Sequence, residues 1–133
     1  MSDIVVDTSV IIAVIANEPE RETLIGLTRG ASLIAPQSVH CEVGNAFSAM
    51  LRRNRSTLPP LLKAVEIYRQ VPIRFVDVEL DESLRIAAAL GIYAYDAYLI
   101  RCALKYTCPL ISLDSSLLQC ARQMKAQVIE VIR

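Results

Sequence analysis

Five short apolar runs punctuate the chain: "DIVVD" (3–7), "ASLIAP" (31–36), "IRFVDV" (73–78), "PLISL" (109–113) and "QVIEV" (127–131). Between them lie segments long enough for one or two helices each. This alternation constrains the fold more than any other feature. Near-continuous Val, Ile and Leu marks strands buried on both faces, as parallel strands are. Parallel neighbours need a long crossover between them, which a helix supplies. The pattern therefore predicts an α/β protein, a three-layer α/β/α sandwich around a short, mostly parallel central sheet.

Helical periodicity runs over roughly 9–17, 20–29, 38–54, 79–90, 95–106 and 115–125, and a further helix opens at Pro59–Pro60 and reaches about 70. Proline suits a first helical turn, and Gly91 stops the helix before it. No linker, repeat or low-complexity stretch divides residues 1–133, so a single domain is expected.

In open α/β sheets ligands bind beyond the carboxyl ends of the strands. Asp7 directly follows the first strand, and Asp114 directly follows "LISL". Each precedes a helix, so each has a capping reading beside any functional one. Asp96 can likewise cap or begin its helix, where the macrodipole favours an anion. Glu42 is harder to explain in that way. At 100° per residue, Val39, Val43, Ala46, Phe47 and Met50 form an apolar stripe, and Glu42 lies on its edge. Asp96 has Leu99, Ile100 and Ala103 on its side of the helix, and neither acid has an evident basic partner.

Unpaired carboxylates near a core are costly, and several together repel one another. A divalent cation removes both problems. Oxygen-only ligands favour Mg²⁺ or Mn²⁺ over zinc, and paired ions roughly 3.5–4 Å apart are a known means of phosphodiester cleavage.

The segments "IVVDTSVIIAVI", "HCEVGNAF", "YDAYLIRCAL" and "PLISLDSSLLQCA" followed by "VIEV" resemble the PIN-domain family over essentially the whole chain. The likeness is greatest to the small VapC-type toxins of prokaryotic toxin–antitoxin pairs. The resemblance implies a PIN-like fold and a Mg²⁺- or Mn²⁺-dependent RNA endonuclease. It makes Asp7, Glu42, Asp96 and Asp114 the metal-holding acids, with Asp7 central. Thr8 and Ser9 match small hydroxyl residues after the first acid, and Ser112 stands where the family usually has Thr. A homodimer and a VapB-type antitoxin that blocks the site are further implications.

Two other readings compete with this one. An aspartyl phosphotransferase of the haloacid-dehalogenase type needs a second acid two residues after the first, where this chain has Ser9. A receiver domain needs paired acids near the first strand and a Lys after the last. A non-catalytic interaction module remains the other alternative, although four retained acids would only destabilise it. Arg52, Arg53 and Arg55 are weak candidates for RNA contact and fit a solvated helix end better. Tyr93, Tyr95 and Tyr98 surround Asp96 and offer base stacking, with packing expected for at least two. His40 receives no catalytic role.

Composition adds bounds. The 14 basic and 14 acidic side chains cancel, so no overall field draws the chain to a polyanion. Cys41, Cys102, Cys108 and Cys120 form no C-x-x-C pair, so free thiols and no zinc are expected. "MSDIVVD" lacks the marks of a signal peptide, and no apolar run is long enough for a bilayer, which points to a cytoplasmic protein with no membrane partner. A mean hydropathy of +0.39 suits an apolar surface patch covered by a partner or a second copy.

Overall fold

The computed structural model describes residues 2–132. Five strands run β1 (Asp3–Val6), β2 (Ser32–Pro36), β3 (Ile73–Val76), β4 (Leu110–Ser112) and β5 (Val128–Glu130). They form one sheet in the order β3-β2-β1-β4-β5, and every pairing is parallel. The expected "mostly parallel" sheet is thus wholly parallel among the described residues. Seven helices flank it: α1 (Thr8–Ile15), α2 (Arg21–Thr28), α3 (Ser38–Arg52), α4 (Leu58–Gln70), α5 (Leu80–Leu90), α6 (Ala94–Tyr106) and α7 (Ser115–Gln123).

The sequence dictates these elements locally. Val5, Val6, Ile34, Leu110 and Ile111 are at most 1% exposed, so the three inner strands are buried on both faces. Helix α1 is apolar nearly all round and is correspondingly buried at Val10, Ile11, Ile12, Ala13 and Ile15. Gly91 ends α5 in the left-handed conformation (φ 66°), which glycine adopts without a Cβ penalty. Helix α6 lies across β1, β2 and β4, with α5 packed on it.

The turn before α5 is pinned to α6. Arg101 donates to Glu79 from Nε at 3.1 Å, and Lys105 Nζ and Tyr106 Oη both donate to the Asp77 carbonyl. That arrangement pulls the Glu79 carboxyl down to about 2, first through the Arg101 hydrogen bond.

From β1 the chain moves outward through β2 to β3, then returns to the other side of β1 for β4 and β5. The order reverses between β1 and β4. That crevice is where α/β sheets bind ligands, and Asp7 and Asp114 follow its two strands.

Candidate active site

Asp7 leaves the end of β1 and occupies the N-cap position of α1, yet its side chain makes no capping bond. It is 7% exposed. Instead, Oδ2 accepts from Ser9 Oγ at 2.7 Å and from the buried Ser112 Oγ. Those hydroxyls are held in turn: Ser9 Oγ accepts from the Leu113 amide at 3.1 Å, and Ser112 Oγ accepts from the Asp114 amide at 2.9 Å. With backbone N–H groups at their lone pairs, both hydroxyl protons are directed to one carboxylate oxygen. The capping reading of Asp7 gives way to that of a clamped carboxylate presenting Oδ1.

Glu42 lies on the second turn of α3, half-buried, as the edge of the apolar stripe required. Thr8 Oγ1 donates to its Oε2 at 2.9 Å. The other oxygen, Oε1, is buried and has no hydrogen-bond partner. Burial holds the Glu42 carboxyl above its ordinary range; Thr8 opposes this, and the charges of Asp7 and Asp96 add to it.

Asp96 is the third residue of α6, with Tyr93 at the N-cap, so it begins the helix rather than capping it. Its half-buried carboxyl is also raised, by burial first and then by Asp114 and Asp7. Asp114 does cap its helix: Oδ1 accepts from the Ser116 amide at 3.0 Å and the Leu117 amide at 3.2 Å.

Asp7 acts on both Glu42 and Asp96, and Asp114 acts on Asp96. Asp7 and Asp114 follow the two strands of the β1/β4 reversal, while Glu42 and Asp96 come from α3 and α6. No ion pair among the described residues involves any of these four acids. All the donors are hard oxygens, and Glu42 Oε1 is an orphaned buried acceptor, so the chemistry fits Mg²⁺ or Mn²⁺. Among the described residues no three acidic, imidazole or thiol groups are gathered closely enough to enclose an ion in this side-chain arrangement. The fit therefore rests on donor type and on the orphaned oxygen.

An open cleft of about 420 Å³ adjoins the acids, lined by Thr8, Ser9, Ile12, Glu18, Ala46, Leu113 and Asp114. Glu18 is an acid that sequence reasoning passed over; it lies in the loop after α1 with no periodicity to mark it. The roles of the Leu113 and Asp114 amides were equally invisible in the sequence.

Other candidates lie apart. Arg52, Arg53 and Arg55 are exposed at the far end of α3. Ten residues at about 1.5 Å each put Arg52 about 15 Å along the helix from Glu42. His40 bonds Tyr68 Oη through Nδ1 at 2.9 Å, outside the acid group. The four cysteines are free thiols.

A three-layer sheet protein with acids following β1 and β4 at the reversal of strand order defines the class. The model of the PIN domain matches residues 4–123. The chain belongs to the PIN domain family, whose members typically have metal-dependent nuclease activity. None of the curated proteins matches the sequence.

Among solved structures, PAE2754 from Pyrobaculum aerophilum is similar, with a TM-score of 0.75 at 21% identity over 98% of this chain and 91% of that one. VapBC2 from Rickettsia felis, bound to a DNA fragment from its promoter, aligns with a TM-score of 0.66 at 10% identity over 96% and 98% of the two chains. A domain of a functionally unknown Methanocaldococcus jannaschii protein gives 0.55 at 17% identity over 100% and 93%. These likenesses extend to the fold.

Proposed function

We propose that this chain is a metal-dependent RNA endonuclease and the toxin of a VapBC-type toxin–antitoxin pair acting in the cytoplasm. The observation that carries the reading is the partnerless, buried Glu42 Oε1, on a carboxyl that burial and then the charges of Asp7 and Asp96 hold above its ordinary range. A protein that only bound partners would gain nothing from leaving that oxygen unsatisfied.

Asp7, Glu42, Asp96 and Asp114 would hold the Mg²⁺ or Mn²⁺. When bound, such a cation polarises the phosphate and supplies a nucleophilic water at neutral pH. The chain's own contribution is positioning. Ser9 and Ser112 fix Asp7 through Oδ2 and leave Oδ1 engaged by neither. Thr8 anchors Glu42 by one oxygen and frees the other. Asp114 divides its carboxylate, with Oδ1 capping α7 and Oδ2 open. Because Ser9, two residues after Asp7, turns its hydroxyl onto Asp7, the second acid of an aspartyl phosphotransferase has no counterpart here.

The antitoxin assignment is supported by the fold likeness to VapBC2. An apolar cleft of about 380 Å³, lined by Val10, Val14, Ile25, Leu33, Val71 and Ile73 among others and by none of the four acids, suits a partner's apolar segment. Exposed Leu58, Leu62, Leu80 and Leu84, with the high mean hydropathy, favour a homodimer.

The test is cleavage of single-stranded RNA with Mg²⁺ or Mn²⁺, with chelator, and with Asp7→Asn purified in parallel. Metal-dependent cleavage by the wild type that Asp7→Asn lacks is expected. Equal activity in both preparations would overturn the reading.

A further inference from the structure

Tyr93 is 88% exposed and Tyr95 58%, the two exposed tyrosines described. The other tyrosines have evident packing or bonding roles. Tyr68 is buried and bonded to His40, Tyr106 donates to the Asp77 carbonyl, and Tyr98 is half-buried against α6's surroundings. Capping does not account for Tyr93 either, since it stands at the N-cap of α6 without a side-chain bond.

Position gives the pair a meaning. Tyr95 immediately precedes Asp96 on the first turn of α6. Its ring meets Tyr98 edge to face, with centroids 6.3 Å apart and planes at 88°. Tyr98 in turn walls a cleft of about 210 Å³ at the carboxyl ends of β2 and β3, shared with Gln37 and Ser38. Ser38 lies one helical turn before Glu42, and its buried Oγ has no hydrogen-bond partner. Tyr95 thus reaches, through Tyr98, a cleft that also holds Gln37, Ser38 and Asp77, and Tyr93 stands exposed two residues before it.

We propose that the exposed rings of Tyr93 and Tyr95 each offer a stacking face to an unpaired nucleobase of RNA bound beside Asp96. This inference rests on the nuclease reading and deepens it. A base within a duplex is already paired and stacked and has no face to offer, whereas every unpaired base does.

The chain has no tryptophan, so Tyr93→Trp keeps a stacking face and adds a single indole reporter. Binding is measured in Ca²⁺ buffer, by anisotropy of a fluorescein-labelled single-stranded RNA and of its matching duplex, with gels confirming intact RNA. Single-stranded RNA should quench the indole of Tyr93→Trp saturably, and the duplex should not. Tyr93→Ala and Tyr95→Ala should each weaken single-stranded binding about tenfold, within the range for one stacked base. Phe at either position should restore it to within about twofold.

If the wild type binds and cuts RNA but the Ala variants bind equally and no quenching occurs, the stacking role is overturned and the nuclease reading stands. Equal quenching by the duplex would also overturn it. Indole emission that shifts with protein concentration alone would assign the rings to self-association instead. A wild type that neither binds nor cuts RNA would remove the nuclease reading and the stacking role together.

Discussion

At the scale of single residues, the site is a hierarchy of hydroxyl clamps around carboxylates. Replacing Ser112 with Ala should take one donor from Asp7 Oδ2 and leave the Asp114 amide without its acceptor. A loss of about 1–3 kcal/mol is expected for such a buried change, measured by urea unfolding. Glu42 and Asp96 carry the opposite sign. Burial holds both above their ordinary values of 4.5 and 3.8, so the native state keeps protons the unfolded chain has released. Stability of the metal-free protein therefore falls as pH rises from those ordinary values through the raised ones. Glu42→Gln keeps an acceptor for Thr8 and removes the charge. In metal-free thermal melts it should gain on the wild type as pH is taken upward from 4.5; a gap that does not change with pH would contradict the raised Glu42 carboxyl. Asp7 and Asp114 were legible in the sequence because each follows a strand, and Glu42 and Asp96 because each lies toward the apolar side of its helix. Thr8, Ser9 and Ser112 were legible only through the family resemblance. The clamping amides of Leu113 and Asp114 were not, because backbone donors leave no trace in side-chain identity.

At the scale of elements, Asp114 carries two separable roles. It caps α7 through Oδ1, and Asn can do the same. Asp114→Asn should therefore hold its melting temperature while losing RNA cleavage, whereas Asp114→Ala should also lose about 0.5–2 kcal/mol of stability. If Asp114→Asn retains full cleavage, the residue is a cap alone. Element boundaries fell close to expectation where chemistry was explicit, as at Gly91 and at Pro59–Pro60. They drifted where it was not. The predicted 38–54 helix ends at Arg52, with Asn54 in the left-handed region that a short polar side chain tolerates. Asp7 shows the limit of local reading: a residue in an N-cap position whose side chain caps nothing.

At the scale of the whole molecule, strand order decides what the acids mean. No local pattern reveals that β4 returns to the far side of β1, yet that reversal brings "IVVD" and "LISLD" together. The general rule for parallel sheets supplied the right end of the strands, and the topology supplied the right crevice. The exposed leucines of α4 (Leu58, Leu62) and α5 (Leu80, Leu84) predict that the isolated chain sediments as a dimer at micromolar concentration. Sedimentation as a monomer throughout would leave those leucines without the proposed second copy.

The central claim is that four carboxylates from four places in the chain act as one cation site. The most direct measurement is a Mn²⁺ titration followed by the electron paramagnetic resonance of free Mn²⁺, for wild type, Asp7→Asn, Glu42→Gln, Asp96→Asn and Asp114→Asn. The wild type should remove the free signal, Mg²⁺ should compete, and every substitution should weaken binding, Asp7→Asn the most. A wild type that leaves the free signal unchanged, or an Asp7→Asn variant that binds as tightly, would contradict a shared site.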